Sequence, residues 1–210
     1  MPDPVLVQKA TGGNTGSPVS AVFPAPPLPG NLLVAICAVR TAGSITGPAG
    51  WSVAINQDSD GTYPGQAIFY KVAGIAEPQT VVFTTTASGT GNGIQVYEYS
   101  GLTGVVDAVA SATGAVSPAG SGNVVTAAAK ALLVAGLASQ AGTLFSAWTN
   151  SFVEQANFTG GAGGALTRFG GADRTVTAPG TYSTQAVAGA NGWRGQIVAF
   201  VADTSSPPIP

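Results

Sequence analysis

Histidine is absent from the 210 residues, and cysteine occurs once, at Cys37. Without histidine the chain lacks the side chain needed for Cys/His zinc centres and for Ser-His or Cys-His catalytic pairs. A single cysteine excludes a disulfide framework. Because Cys37 lies in the apolar run Leu32–Val39, we expect it to be a small buried side chain. General acid–base chemistry would depend on carboxyl groups alone, so we predict a protein that is not an enzyme and has no cofactor.

Charged residues are also scarce, at 8% of the chain against about 25% in an ordinary soluble domain. The seven Lys and Arg residues are scattered singly and the formal net charge is −2, which argues against nucleic-acid binding. The longest strictly apolar run is far shorter than the ~20 residues that span a bilayer, and the N-terminus does not resemble a secretory signal. We therefore expect cytoplasmic synthesis, no membrane span, and a surface partly covered in an assembly.

Glycine (30 residues) and proline (15 residues) divide the chain into short apolar runs. Runs rich in β-branched and aromatic residues recur about every eight to twelve residues, which is typical of an all-β sandwich or barrel. Residues 127–137 have a helical composition, but the run Leu132–Ala135 ends at Gly136 and favours a buried strand. The predicted strands are 5–9, 19–23, 32–40, 52–57, 66–72, 79–85, 93–99, 105–112, 123–126, 131–139, 152–157, 165–174, 180–188 and 195–202.

A weak internal repeat organises the chain. The sequence Asn-Leu-Leu-Val-Ala at 31–35 recurs as Ala-Leu-Leu-Val-Ala at 131–135, one hundred residues later. Each copy continues to an Ala-Gly pair and then to a tryptophan, Trp51 in the first copy and Trp148 in the second. Repetition at a fixed spacing indicates repeated structural units, and the similarity predicts two related halves, about 31–102 and 131–203.

The two halves could form two small sandwiches or contribute to one. Each offers about five short strands, too few to bury two faces independently, and no long linker separates them. We therefore predict one antiparallel two-sheet β-sandwich, jelly-roll-like, over residues 31–203.

The two ends of the chain are rich in proline and favour extended conformations. We predict a proline-rich N-terminal arm with lead strands at 1–30 and a proline-rich tail at 204–210. Segments of this kind can lie along a neighbouring subunit. The residues that we expect to make such contacts are Pro24, Pro26, Pro27, Pro29, Pro207, Pro208 and Ile209.

The sequence offers two polar candidate sites, an Asn/Asp loop and a single glutamate. Asn56, Asp58 and Asp60 match the start of a calcium loop, but Ala67 stands where the loop requires a bidentate Glu. An ordinary solvated turn is the favoured interpretation, so we predict no metal and keep calcium as the weaker alternative.

Glu98 is the second polar candidate. Strand alternation places it on the same face as Ile94 and Val96, and the matching position of the second half is about Val201. We expect a structural Glu, hydrogen-bonded to backbone amides or to an Arg.

Tryptophan offers one further possibility. Trp51, Trp148 and Trp193 could stack on sugars if their rings were exposed on one face. Because Trp51 and Trp148 occupy matching positions of the repeat, a shared structural role of these two in closing the ends of the sandwich is the favoured interpretation, and half-buried tryptophan is the commoner state.

One set of motifs carries a family resemblance. The motifs are Pro-Gly-Asn-Leu-Leu-Val-Ala at 29–35, Gly50-Trp51, Phe-Tyr-Lys-Val-Ala-Gly at 69–74, the run 80–84, and Tyr-Glu-Tyr-Ser-Gly-Leu at 97–102 with Asp107. Together they resemble a β-sandwich module of tailed-phage virion proteins and some bacterial surface proteins, over roughly residues 18–202. The resemblance implies a jelly-roll-like sandwich with a structural or adhesive role, and it implies no catalytic residues.

The resemblance leads to the functional expectation. We expect a virion structural protein made in the bacterial host cytoplasm, foremost a capsid decoration protein on the head exterior. Its expected partners are the major capsid protein or other virion proteins, and we expect a homo-oligomer, with a trimer favoured. The alternatives are a minor tail or tail-fibre protein that contacts the host surface and a carbohydrate-binding module with a glycan ligand.

Overall fold

The computed structural model describes residues 3–87, 91–140, 142–161, 166–189 and 191–205. Over these ranges the chain is all β, and its strands pair antiparallel. No helix in the described residues is long and apolar enough to cross a membrane. The strands are β1 (Val5–Asn14), β2 (Val19–Val22), β3 (Leu32–Val39), β4 (Ile45–Thr46), β5 (Ser52–Gln57), β6 (Gly65–Val72), β7 (Thr80–Thr85), β8 (Asn92–Ser100), β9 (Leu102–Gly114), β10 (Ala119–Gly120), β11 (Val124–Thr126), β12 (Ala131–Ser139), β13 (Val153–Gly160), β14 (Thr167–Val176), β15 (Gly180–Tyr182), β16 (Gln185–Ala186) and β17 (Trp193–Ala202).

The strand order confirms the internal duplication. The large sheet of the first half has the order β1-β8-β3-β6-β5, and the large sheet of the second half has the order β9-β17-β12-β14-β13. Replacing each strand of the first half by its counterpart in the second converts one order into the other. Each half also has small sheets, β2-β7-β4 in the first and β10-β16 with β11-β15 in the second.

Alternation along the central strands shows how the sheets are layered. In β3, odd-numbered side chains such as Leu33 and Cys37 pack with the small sheet of the first half. Even-numbered side chains such as Leu32 and Ile36 pack against the large sheet of the second half. Both faces of β3 are therefore buried, which explains why an antiparallel strand has a continuous apolar sequence.

The sheets form four layers. The two large sheets lie in the middle, and the small sheets of each half cover the outer face of its large sheet. Each half forms its own sandwich, and the two halves also share a central core. The structure thus combines the two arrangements that the sequence left open. The predicted all-β antiparallel sandwich is confirmed, and jelly-roll connectivity stays a prediction.

Most contacts between the halves occur in exchangeable pairs. β1 packs beside β13 and β9 beside β5, while β6 packs on β17 and β14 on β8. Exchanging the halves converts each contact into the other. The molecule therefore has an internal pseudo-two-fold relation, like the isologous interface of a homodimer.

The predicted N-terminal arm contributes two strands to the sandwich. β1 pairs with β8 from Val5 to Asn14, and β2 pairs with β7. The segment 127–137, for which a helix was the alternative, contributes β12 from Ala131, so the favoured strand is confirmed. The sequence missed the two-residue strands β4 and β10, and it merged β15 and β16 into one.

Strand register corrects two correspondences between the halves. Leu33 pairs with Glu98 and Leu133 pairs with Ala199, so the counterpart of Glu98 is Ala199 and not Val201. Counting back from the paired residues of β5 and β13 places Phe152, not Trp148, at the position of Trp51. The sequence alignment went wrong in the loops, where the two halves differ in length.

Candidate functional site

The proline segment, residues 24–30, is held firmly against the first half. Gln8 makes a two-point contact with Ala25, because its Nε2 donates to the Ala25 carbonyl and its Oε1 accepts from the Ala25 amide, both at 3.0 Å. The Gly30 amide donates to the Ala73 carbonyl at 2.9 Å. A segment that is held at both ends has fewer conformations to lose, which lowers the entropic cost of binding a partner.

Glu98 is the internal support of this segment. Its side chain is fully buried, and three N–H donors point at its two carboxyl oxygens. The Leu28 amide and Asn31 Nδ2 donate to Oε1 at 2.8 and 2.6 Å, and Gln8 Nε2 donates to Oε2 at 2.5 Å. The hydrogen-bond partners of Glu98 are therefore amide N–H groups, and no Arg is among them.

The outer side of the proline segment is apolar and open to solvent. Pro24, Pro26 and Pro29 are exposed, and Leu28 is 57% exposed. Ile75 is 92% exposed in the neighbouring turn, which the Gly30–Ala73 hydrogen bond joins to the segment. We call this surface the apolar end. Exposed apolar surface that is contiguous and rigid is typical of an interaction site.

The remaining predicted contact residues do not belong to the apolar end as described. Pro27 is buried in the chain, so it cannot touch a partner without rearrangement. Pro207, Pro208 and Ile209 lie outside the described residues.

The calcium alternative has no geometric support. Asn56 Nδ2 donates to the Ile45 carbonyl at 3.1 Å, and Asp58 Oδ1 accepts from the Ile45 amide at 3.3 Å. Asp60 Oδ1 accepts from the amides of Thr62 and Tyr63, whose hydrogen bonds lower the pKa of its carboxyl. These side chains therefore stabilise the loop. No group of three acidic, His or Cys side chains suited to a metal occurs among the described residues.

The three tryptophans do not share one face. Trp51 packs on the core of the first half, whereas Trp148 and Trp193 pack on cores of the second. Trp193 is buried and donates from Nε1 to the Val116 carbonyl at 2.7 Å. A platform of all three rings is therefore wrong for this fold.

Trp51 lines a surface groove of about 270 Å³. Pro48 and Pro78 line the same groove, together with the ion pair formed by Lys71 and Glu77 at 2.8 Å. A half-buried ring beside charged groups can bind a small polar ligand.

A polar cluster that the sequence did not predict lies at the edge of the central core. Tyr99 donates from its hydroxyl to Asp173 Oδ2 at 2.8 Å, and Gln155 Nε2 donates to Asp173 Oδ1 at 3.1 Å. Lys9 Nζ donates to Gln155 Oε1 at 3.1 Å. The four residues come from β8, β14, β13 and β1, so the cluster bridges the two halves.

Burial controls the electrostatics of this cluster. Asp173 is 8% exposed, and burial raises the pKa of its carboxyl despite the hydrogen bonds from Gln155 and Tyr99 and the charge of Lys9. Burial, together with the neighbouring Asp173, raises the pKa of the Tyr99 hydroxyl well above its usual value. Tyr99 is therefore a neutral donor. Perturbed groups of this kind concentrate at functional sites.

The pseudo-two-fold relation shows that the fold does not require these polar residues. Register makes Phe200 the counterpart of Tyr99 and Tyr70 the counterpart of Asp173. Tyr70 and Phe200 pack edge to face with ring centroids 5.6 Å apart. One of two equivalent positions is thus filled by an aromatic pair, and the other by a hydrogen-bonded Tyr–Asp pair.

Comparisons with known proteins add no further constraint. The chain matches no family model, no curated protein and no solved structure. Function is therefore inferred from the sequence and structure of this chain alone.

Proposed function

We propose that the chain is a non-enzymatic virion structural protein, foremost a capsid decoration protein, that acts by binding neighbouring proteins through its apolar end. The observation that carries this proposal is a rigid, exposed, apolar surface braced from inside by the buried Glu98. Burying apolar area stabilises a contact by about 25 cal/mol per Å² before entropic costs, and a fixed segment reduces those costs.

The mechanism is mechanical. Copies of the chain, as a homo-oligomer that we expect to be a trimer, would bind at junctions of the major capsid protein on the virion surface and add buried area to the shell. A chain with only 8% charged residues suits a protein that works in contact with others, because charged residues are depleted in interface cores. The motifs that resemble phage virion sandwiches support the same assignment.

Two substitutions test the contact surface. Leu28→Asp and Ile75→Asp each place a charge on the apolar end without touching the core, and Val125→Asp places the same charge on an exposed position of the second half, where the valine is 65% exposed. We expect the first two variants to lose binding to capsids that lack this protein, and Val125→Asp to keep it. All three should melt like the wild type. Full binding by both apolar-end variants would overturn the proposal.

The groove beside Trp51 favours a second candidate, a tail or tail-fibre protein that contacts host-surface glycans. Aromatic rings that stack on sugars next to charged groups are typical of such sites. Calorimetric titration with cell-wall polysaccharide would show binding that Trp51→Ala abolishes and Trp148→Ala preserves. No heat of binding with the wild type would exclude this candidate.

A further inference from the structure

We propose that Lys9 and Gln155 form an intramolecular isopeptide bond, and that Asp173 promotes its formation. The proposal concerns the polar cluster and does not depend on the virion role. The bond would join β1 of the first half to β13 of the second half, between residues 146 positions apart in sequence.

The arrangement of the three side chains is that of a nucleophile, an electrophile and an acid. Lys9 Nζ donates to Gln155 Oε1 at 3.1 Å, one bond away from the carboxamide carbon that it would attack. Asp173 Oδ1 lies 3.1 Å from Gln155 Nε2, the atom that must leave. Holding reacting groups next to one another within a fold supplies much of the rate advantage of intramolecular reactions.

The reaction is balanced without any added reagent. Lys9 Nζ loses a proton to solvent, which its exposed position allows, and its lone pair attacks the Gln155 carboxamide carbon. The attacking nitrogen then loses its second proton to solvent, and the carboxyl group of Asp173 donates a proton to Nε2 as the carbon–nitrogen bond breaks. The Asp173 carboxylate regains its proton from solvent. Ammonia leaves, and the product is a secondary amide between the two side chains. No oxidation or reduction takes place.

The local backbone presents Gln155 to Lys9. The pairing of β13 with β14 shifts between Glu154 and Ala156, which makes Gln155 the extra residue of a β-bulge. Bulges redirect a side chain and are frequent beside functional groups. On the inner side, Tyr99 holds the second oxygen of Asp173, so the carboxyl group is fixed while it faces the carboxamide.

Comparison of the two halves shows that packing alone does not require Lys9, Gln155 and Asp173 at these positions. Register makes Val109 the counterpart of Lys9 and Ala54 the counterpart of Gln155. Ala54 is the extra residue of an equivalent bulge. One of the two equivalent places in the fold therefore has Val109 and Ala54, and the other has Lys9 and Gln155 beside Asp173.

The experiment is intact mass measurement of the folded, purified chain, followed by tryptic peptide mapping. We expect a mass lower by one ammonia. Because Asn-Gly sequences such as Asn191-Gly192 can also lose ammonia, the map decides. Cleavage after Lys9 should be absent, and peptide 1–40 should be covalently joined to peptide 131–168.

Matched variants identify the residues responsible. Lys9→Arg keeps a donor but lacks the nucleophile, and Asp173→Asn lacks the acid, so both should give the full sequence mass and separate peptides. Lys71→Arg changes a lysine that lies elsewhere and should keep the cross-link. Should the wild type, after prolonged incubation in the folded state, show full mass and free 1–9 and 131–168 peptides, the proposal is wrong. A cross-link that persists in Asp173→Asn would remove the acid from the mechanism.

Discussion

Replacement of Glu98 by Gln is the sharpest perturbation of the apolar end. Two donors, from Leu28 and Asn31, meet at one carboxyl oxygen, and Gln8 donates to the other. A glutamine must point its own NH₂ at one of these sites. Gln8 cannot flip its amide to accept from that NH₂, because its two ends are already matched to the carbonyl and the amide of Ala25.

The cost follows from the lost contacts. Each hydrogen bond to a charged group contributes about 1.5–3 kcal/mol, and an unpaired buried donor costs about 1–3 kcal/mol. Because at least one bond is lost and two donors are brought face to face, we expect Glu98→Gln to lower the free energy of unfolding by about 2–4 kcal/mol. For a chain of this size that corresponds to a melting midpoint lower by roughly 5–15 °C.

Urea denaturation measures this loss, and Glu154→Gln is the control. Glu154 is exposed, so the same chemical change there should cost less than about 1 kcal/mol. Hydrogen exchange at the Leu28 amide adds a local readout, since that amide should exchange faster in Glu98→Gln alone. Wild-type stability and wild-type exchange at Leu28 would refute the role of Glu98 as the brace of the proline segment.

Three further predictions test the layered core, the acid response and the buried thiol. Gly136→Ala should destabilise the fold in thermal melts, because its Cβ would lie 2.7 Å from Ile36 Cγ2, whereas Gly16→Ala, with nothing within 4 Å, should not. Hydrogen bonds from Thr126 and two backbone amides lower the pKa of the Asp107 carboxyl. The stabilisation from this group is therefore present above its ordinary pKa of 3.8 and is lost as the pH falls through the lower pKa of the folded state. Asp107→Asn should flatten the acid limb of the plot of stability against pH. Cys37 is fully buried, and burial raises the pKa of its thiol, so a thiol reagent should label it only as fast as the protein opens.

Much of the fold was accessible from the sequence because the signals were local. The repeated Leu-Leu-Val-Ala runs predicted β3 and β12, and alternation placed Glu98 on the inner face with Ile94 and Val96. The number of layers was not accessible. A continuous apolar strand shows that both faces are covered, but it does not show which sheet covers each face.

The candidate sites divide in the same way. The proline segment stood out in the composition, yet its attachment to Gln8 and Glu98 depends on long-range pairing that no local pattern contains. The polar cluster depends on a bulge at Gln155 and on register across two sheets. The one usable signal was Asp173, a carboxyl group inside a predicted strand, since such a group must find partners when buried.

The most direct test of the proposed virion role is the presence and copy number of this chain in purified phage particles. Quantitative mass spectrometry can measure it against the major capsid protein. A decoration protein predicts copies in a fixed, simple ratio to the capsid subunit, with loss of the chain lowering the resistance of the shell to heat or osmotic shock. A few copies per particle would favour the tail candidate, and absence from the particle would contradict a virion role.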